Sequence, residues 1–215
     1  MPETDEDLAD ARADLCRFLA ACYYEPAPEF AEERLFESMQ AAAARVHPEL
    51  AEHARRLGEA FAAQDLQTLL VDYTRLFLGP TQTLAQPYGS VWQNGETTLM
   101  QETTLAVVEL YEQGGFEIDA AFHELPDHVA VELEFLYLLL FKRNQARRAN
   151  DDGAGAALAA LQQRFLVQHL GAWIGPFTRA VQASAQTSFY RELGAFTERF
   201  VRQAAEPQEP SAIRH

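Results

Sequence analysis

The stretch HELPDHVAVELEFLYLLL, residues 123–140, places two histidines and two acids around a proline and then becomes almost wholly apolar. Pro126 suits the first turn of a helix, where the backbone N–H that proline lacks would have no partner. The apolar residues continue with little interruption, so we expect one helix from Pro126 to about Arg148. A helix that is apolar around most of its circumference is usually buried. The stretch therefore predicts a buried central helix.

The rest of the chain also shows helical spacing of apolar residues, and no segment alternates as a half-buried strand does. Thr4, Pro48 and Asp65 are residue types that begin helices. A chain of 215 residues, 48% of them hydrophobic, can bury one large core. We therefore predict an all-α, bundle-like single domain over residues 1–205, with about eight to ten helices around the central one, and a disordered tail at 206–215.

The amino-terminal stretch MPETDEDLADARADL is acidic and amphipathic, and it lacks the basic start and apolar middle of an export signal. The two cysteines, Cys16 and Cys22, are six residues apart in a predicted helix and do not form a CxxC pair. They are interpreted as small core residues of a reduced protein. Together these features predict a cytoplasmic location.

Residues 79–95, GPTQTLAQPYGSVWQNG, hold two prolines, three glycines and two large aromatic residues without helical periodicity. They predict a long loop, and loops of this length are usually functional or disordered. Tyr88 and Trp92 could offer apolar or cation–π contacts to a ligand there. The structural alternative for Trp92 is that its ring holds the loop against the bundle.

Charge is unevenly distributed along the chain, which carries 32 acidic and 17 basic residues and a formal net charge of −15. Nucleic acid and anionic membrane surfaces are therefore disfavoured as partners. No lysine or arginine occurs between Arg75 and Lys142. This window predicts a basic peptide as ligand. The alternative is that its acids only form the solvent-exposed faces of helices. The ten acids of the window are Glu96, Glu102, Glu109, Glu112, Glu117, Asp119, Glu124, Asp127, Glu132 and Glu134.

Metal and catalytic chemistry find little support in the same stretch. His123, Glu124 and His128 do not have the spacing of a zinc-protease HExxH motif, and Pro126 would interrupt the helix that such a motif needs. The paired Glu-x-x-His motifs of a di-iron bundle are absent, as are a glycine-rich phosphate loop and a nucleophile motif. We predict no metal, no cofactor and no catalytic residue. An acid/base pair of Asp127 and His128 stays open as an alternative.

The segment ELPDHVAVELEFLYLL, residues 124–139, resembles the E-x-PDH-x-x-x-EL-x-F signature of the TorD/DmsD/NarJ family. DYTRLFLGP at 72–80, PYGSVW at 87–92 and FLVQHLGAWIGPFTRAV at 165–181 are similar to segments that occur in the same order in that family. The resemblance covers roughly residues 8–205. It implies a helical cytoplasmic chaperone that binds the twin-arginine leader of a molybdoenzyme catalytic subunit and assists cofactor insertion before export.

The resemblance also implies a peptide-binding surface, in which Asp127 accepts hydrogen bonds from arginine, His128 is a hydrogen-bonding neighbour and Trp92 is an apolar anchor. Two alternatives remain, namely a nitrate-reductase-type assembly chaperone whose client has a degenerate leader, and an enzyme or nucleotide switch built on Asp127 and His128. The resemblance is compatible with either a monomer or a homodimer. The surface that the resemblance implies comprises Tyr88, Ser90, Trp92, Glu124, Pro126, Asp127 and His128.

Overall fold

A computed structural model of the chain describes residues 4–79, 83–94, 102–117 and 124–206. These residues form eleven α-helices and one π-helical turn, without a β-strand among them. The predicted tail from 207 onward, together with Glu96, Asp119 and His123, lies outside the described residues. The elements are α1 (Asp5–Ala21), α2 (Glu29–Glu32), α3 (Leu35–Val46), α4 (Pro48–Ala62), α5 (Leu66–Tyr73), the π-helical turn (Thr74–Leu78), α6 (Gly89–Asn94), α7 (Glu102–Gly114), α8 (Val129–Arg148), α9 (Asp152–Gln168), α10 (Leu170–Ser184) and α11 (Ser188–Ala205).

The α8 helix is the central element, as the sequence predicts. It packs against α1, α7, α9 and α10. The Phe135 ring is fully buried between Tyr111 of α7, with ring centroids 4.6 Å apart, and Phe165 of α9, at 5.0 Å. The all-α prediction is thus confirmed. The short helices α2 and α6, of four and six residues, bring the number of helices above the predicted range.

Several helices begin where the sequence predicts. Thr4 and Asp7 form a reciprocal capping box at α1, Pro48 occupies the first turn of α4, and Asp65 caps α5 by accepting a hydrogen bond from the Thr68 N–H. The central helix, by contrast, begins at Val129 and not at Pro126, because the His128 side chain caps its first turn. Pro126 belongs to the turn that precedes the helix.

The segment predicted as a loop at 79–95 contains the short helix α6, which packs against α10. The prediction of an irregular loop over its whole length was therefore wrong for residues 89–94. Between α9 and α10 the helix is interrupted at His169. Trp173 and Phe177 of α10 are fully buried and belong to the core.

Cys16 and Cys22 are buried free thiols, and burial raises the pKa of both above its ordinary value, as expected for core residues. Among the described helices none is both long enough and apolar enough to cross a membrane.

Candidate functional site

Two distant segments meet at the amino end of α8. Tyr88 and His128 form an isolated antiparallel bridge. Its two backbone hydrogen bonds run from the Gly89 N–H to the Asp127 carbonyl and from the Val129 N–H to the Pro87 carbonyl, both at 2.8 Å. The PYGS stretch and the PDH stretch, which the sequence singled out separately, therefore form one structural unit.

The Asp127 carboxylate is enclosed in this unit, with 2% of the residue exposed. Its Oδ2 accepts a hydrogen bond of 2.8 Å from the Ser90 N–H and so satisfies a donor in the first turn of α6. Asp127 Oδ1 and the buried Ser90 hydroxyl have no hydrogen-bond partner among the described residues. The predicted contact of Asp127 and Ser90 with a peptide would need this segment to move, because both side chains lie below the surface.

His128 is also buried, at 3% exposure. Its Nδ1 accepts a hydrogen bond from the Ala130 N–H, and its ring lies between those of Tyr24, stacked at 6.2 Å, and Tyr88, edge-on at 5.4 Å. Burial lowers the pKa of His128 to about 4, although the charges of Glu124 and Asp127 act in the opposite direction. The imidazole is therefore neutral at physiological pH and supports the two tyrosines.

Each of the two tyrosines donates a hydrogen bond to a partly exposed glutamate. The Tyr88 hydroxyl donates to Glu124 Oε2 at 2.7 Å, and the Tyr24 hydroxyl donates to Glu134 Oε1 at 2.8 Å. Tyr24, Tyr88, Glu124 and Glu134 are all half-buried. With Tyr73, which is buried but whose pKa is also raised by Glu124, we call these residues the acid–tyrosine surface.

One electrostatic field covers this surface. Burial first, and then the Glu124 charge, raises the pKa of Tyr73 to about 12. The same two causes, together with the hydrogen bond that each ring donates to an acid, raise the pKa values of Tyr24 and Tyr88 further. Glu124 acts on all three rings, so the acid–tyrosine surface is electrostatically continuous.

Within the described parts of the chain, none of the ion pairs found includes Glu124 or Glu134. The arginine ion pairs there involve acids outside the acid–tyrosine surface. Partly buried acids without a counter-ion attract a positively charged ligand, because the interaction is screened less than in bulk water. The window free of lysine and arginine thus contributes at least two acids to one surface.

The remaining predicted residues lie at the edge of the site. The Trp92 indole N–H donates to the Gln86 carbonyl at 2.7 Å, and its half-buried ring meets Phe177 edge-on at 6.2 Å. This contact holds the segment to α10, as the structural alternative for Trp92 expects. Pro126 is half-buried, and its carbonyl accepts a hydrogen bond of 2.7 Å from the Tyr111 hydroxyl.

A buried acid lies beneath the surface. Glu132 accepts a hydrogen bond of 3.0 Å from the Trp173 indole N–H, and burial raises the pKa of Glu132 well above its ordinary value. Gly89 packs directly on the same indole, since a Cβ at this position would lie 2.8 Å from Trp173 Nε1. This contact fixes how closely the Tyr88 segment approaches α10.

The described residues contain no group of three His, Cys, Asp or Glu residues that could hold a metal ion. Asp127 and His128 bind different backbone N–H groups and do not form a pair with each other.

Sequence reasoning did not place Tyr24, Tyr73 or Glu134 in the site. Glu134 was counted among the acids of the cation-free window, but nothing local in the sequence relates it to Tyr24, which is 110 positions away. The spacing of residues within one helix cannot predict such a contact between α8 and the end of α1.

Comparison with known proteins agrees with this architecture. The family model described as "Nitrate reductase delta subunit" matches residues 36–179. The chain is 27% identical to the chaperone protein TorD of Shewanella loihica, over 93% of this chain and 94% of that protein. It is 30% identical to the perchlorate reductase assembly chaperone protein of Dechloromonas aromatica, over 80% of this chain and 76% of the relative.

Other alignments are shorter, and the one with TorD of Photobacterium profundum, at 30% identity, covers 55% of that protein. A crystal structure of a candidate redox enzyme maturation protein from Archaeoglobus fulgidus has the same fold, with a TM-score of 0.54 and 19% identity over 94% of this chain and 96% of the other. The family match covers most of the chain, including both halves of the Tyr88–His128 bridge. The chain therefore belongs to the nitrate reductase delta subunit family, in which relatives are named as the chaperone TorD and as assembly chaperones of perchlorate and chlorate reductases.

Proposed function

We propose that this protein is a cytoplasmic redox-enzyme maturation chaperone. It binds the twin-arginine leader of a molybdoenzyme catalytic subunit and holds it while the cofactor is inserted, before export. The observation that carries the proposal is the acid–tyrosine surface, where Glu124 and Glu134 accept hydrogen bonds from tyrosines and form no ion pair among the described residues. The proposal includes no chemical step, and the chain acts by binding.

The leader's paired arginines match this surface chemically. A guanidinium can donate two parallel hydrogen bonds to a carboxylate and can also stack on an aromatic ring. Glu124 and Glu134 each have a tyrosine beside the carboxylate, and Tyr24 and Tyr88 are joined through the His128 ring. Each charge-assisted hydrogen bond is worth about 1.5–3 kcal/mol when it is partly desolvated.

The other residues predicted for the site have supporting roles in this proposal. Asp127, Ser90 and His128 hold the Tyr88 segment at the beginning of α8, so they set where the arginine acceptors lie. Trp92 and Pro126 border the surface and are half-exposed, so both remain available for apolar contacts.

Calorimetric titration with a synthetic leader peptide tests the proposal. The affinity should fall steeply as salt rises from low to physiological concentration, because the attraction is between charges. A variant with Glu124→Gln and Glu134→Gln should bind at least about tenfold more weakly, the equivalent of one lost charge-assisted bond. The matched control is Glu32→Gln with Glu37→Gln, which removes the same charge from exposed positions on α2 and α3.

Equal losses in the two double variants would show that net charge alone attracts the peptide, and the proposed site would be wrong. A peptide in which glutamines replace both arginines should bind the unaltered protein as weakly as the arginine peptide binds the Glu124/Glu134 variant. Unchanged affinity for the glutamine peptide would remove the basis for arginine recognition.

A nitrate-reductase-type assembly role is the second candidate, and the family description favours it. A client of this type would have a degenerate leader, without the arginine pair. The same titration separates the candidates, because such a leader should bind through its apolar segment with little dependence on salt or on Glu124.

A further inference from the structure

A partly exposed apolar stripe on α8 begins beside the acid–tyrosine surface. Glu134, Tyr137, Leu138 and Phe141 follow one another at the i, i+3, i+4 and i+7 positions, so they share one face of the helix. The Tyr137 and Phe141 rings stack at 5.8 Å, and Phe141 is 37% exposed. From Glu134 to Phe141 the stripe is about 10 Å long, at the α-helical rise per residue.

Neighbouring helices leave this face open. Hydrogen bonds from Tyr24 to Glu134 and from Asn144 to Asp10 hold α1 antiparallel along one side of α8. On the other side, Lys142 donates to the Gly114 carbonyl at the end of α7. The stripe therefore lies on the face of α8 between the sides that α1 and α7 contact.

Charge along α8 changes sign in step with the stripe. Glu134 lies in the second turn of the helix, whereas its basic residues, Lys142, Arg143, Arg147 and Arg148, all follow Phe141, and of these Arg148 pairs with Glu6 and Asp10. The other acid of the helix, Glu132, is buried and does not contribute to this surface. A ligand with cations at one end and an apolar run behind them fits this surface in one direction, because the reverse direction would bring cations together.

Resting on the function proposed above, we propose that the apolar segment of the leader lies along Tyr137, Leu138 and Phe141, with its arginines at Glu124 and Glu134. The partner is thus a single amphipathic peptide and not a second copy of the chain. Three partly buried side chains offer far less than the roughly 800 Å² per partner that a stable dimer buries. The leader then contacts α8 over about two turns beyond the signature motif.

Titration with two synthetic peptides tests this path. Both have paired arginines, followed by ten residues that alternate leucine and alanine in one peptide and glutamine and alanine in the other. Phe141→Gln should weaken binding of the leucine peptide about five- to twentyfold and leave the glutamine peptide within about twofold. The matched control is Val167→Gln on α9, which alters another exposed apolar residue, 60% exposed, without changing charge.

Photo-crosslinking gives an independent readout. A benzophenone in the apolar segment of the peptide should label residues 137–141, and one placed beside the arginines should label the region of Tyr88. Capture of the apolar probe on α5 or α9, or equal effects of Phe141→Gln and Val167→Gln, would overturn the path. A shift of the protein from dimer to monomer on Phe141→Gln would assign the stripe to self-association and overturn it too.

These outcomes separate the two proposals. If the Glu124/Glu134 variant loses affinity while Phe141→Gln does not, the leader-binding function stands and the apolar path along α8 is wrong. If the unaltered protein binds neither peptide, the proposed function fails, and the path fails with it.

Discussion

Replacing Asp127 with alanine tests whether this carboxylate positions the site from within. The variant leaves the Ser90 N–H without the acceptor that now lies 2.8 Å away, in a place where Ser90 is fully buried. An unpaired buried donor costs about 1–3 kcal/mol, which for a chain of this size lowers Tm by roughly 2–12 °C. Because the freed segment carries Tyr88, affinity for an arginine peptide should also fall, by about fivefold or more.

Asp72→Ala is the matched control. Asp72 is also buried and accepts hydrogen bonds from the Gln186 and Thr187 N–H groups, at 2.9 and 2.7 Å, where α10 and α11 meet. Its loss should lower Tm at least as much, because two backbone donors lose their acceptor. Peptide affinity, measured by calorimetry well below both unfolding transitions, should stay within about twofold of the unaltered protein.

The conservative change Asp127→Asn decides between positioning and direct contact. An amide oxygen can still accept from the Ser90 N–H, so stability and affinity should both stay close to those of the unaltered protein. If Asp127→Asn abolished peptide binding while Tm remained unchanged, the negative charge itself would contact the ligand. The reasoning from burial would then be refuted.

Two further predictions concern the support of the site. The pKa of His128 is lowered to about 4 in the folded state, so the unfolded chain binds the proton first as pH falls below about 6.5. The free energy of unfolding should therefore drop by roughly 2 kcal/mol between pH 7.5 and 5. His128→Asn, which keeps a helix cap, should remove that part of the pH dependence when stability is measured by urea unfolding. Gly89→Ala should destabilise the protein by about 1–3 kcal/mol, because the new methyl group would overlap the Trp173 indole. Gly155→Ala in α9, where a new methyl group would meet no other side chain within 4 Å, should instead stabilise it by about 0.5–1 kcal/mol. Equal effects of the two changes in thermal unfolding would contradict this account of the close packing.

The sequence predicts those parts of the fold that depend on neighbouring residues. Thr4, Pro48 and Asp65 begin helices as expected, because a cap is decided within about four residues. The apolar composition after Pro126 likewise predicts that α8 is buried, since burial of a helix follows from how much of its circumference is apolar.

Features that depend on distant residues could not be predicted in this way. The beginning of helix α6 could not be predicted from its neighbours, because the Ser90 N–H in its first turn donates to Asp127, 37 positions later. The same contact explains why Asp127 is enclosed, although its position beside a proline turn suggests a surface residue. His128 was expected beside the ligand, yet it lies between two tyrosines that the sequence does not bring together.

The acid–tyrosine surface is assembled by hydrogen bonds that close loops of 36 and 110 residues. A nascent chain that has emerged only as far as α7 lacks Glu124 and Glu134, and so do amino-terminal proteolytic fragments of that length. On the proposed function, incomplete copies of the protein would therefore not bind the leader of a newly made client. If the function proposed above holds, the chain can capture a client only after α8 has been translated and has docked on α1, so the topology of the fold sets the earliest moment of capture.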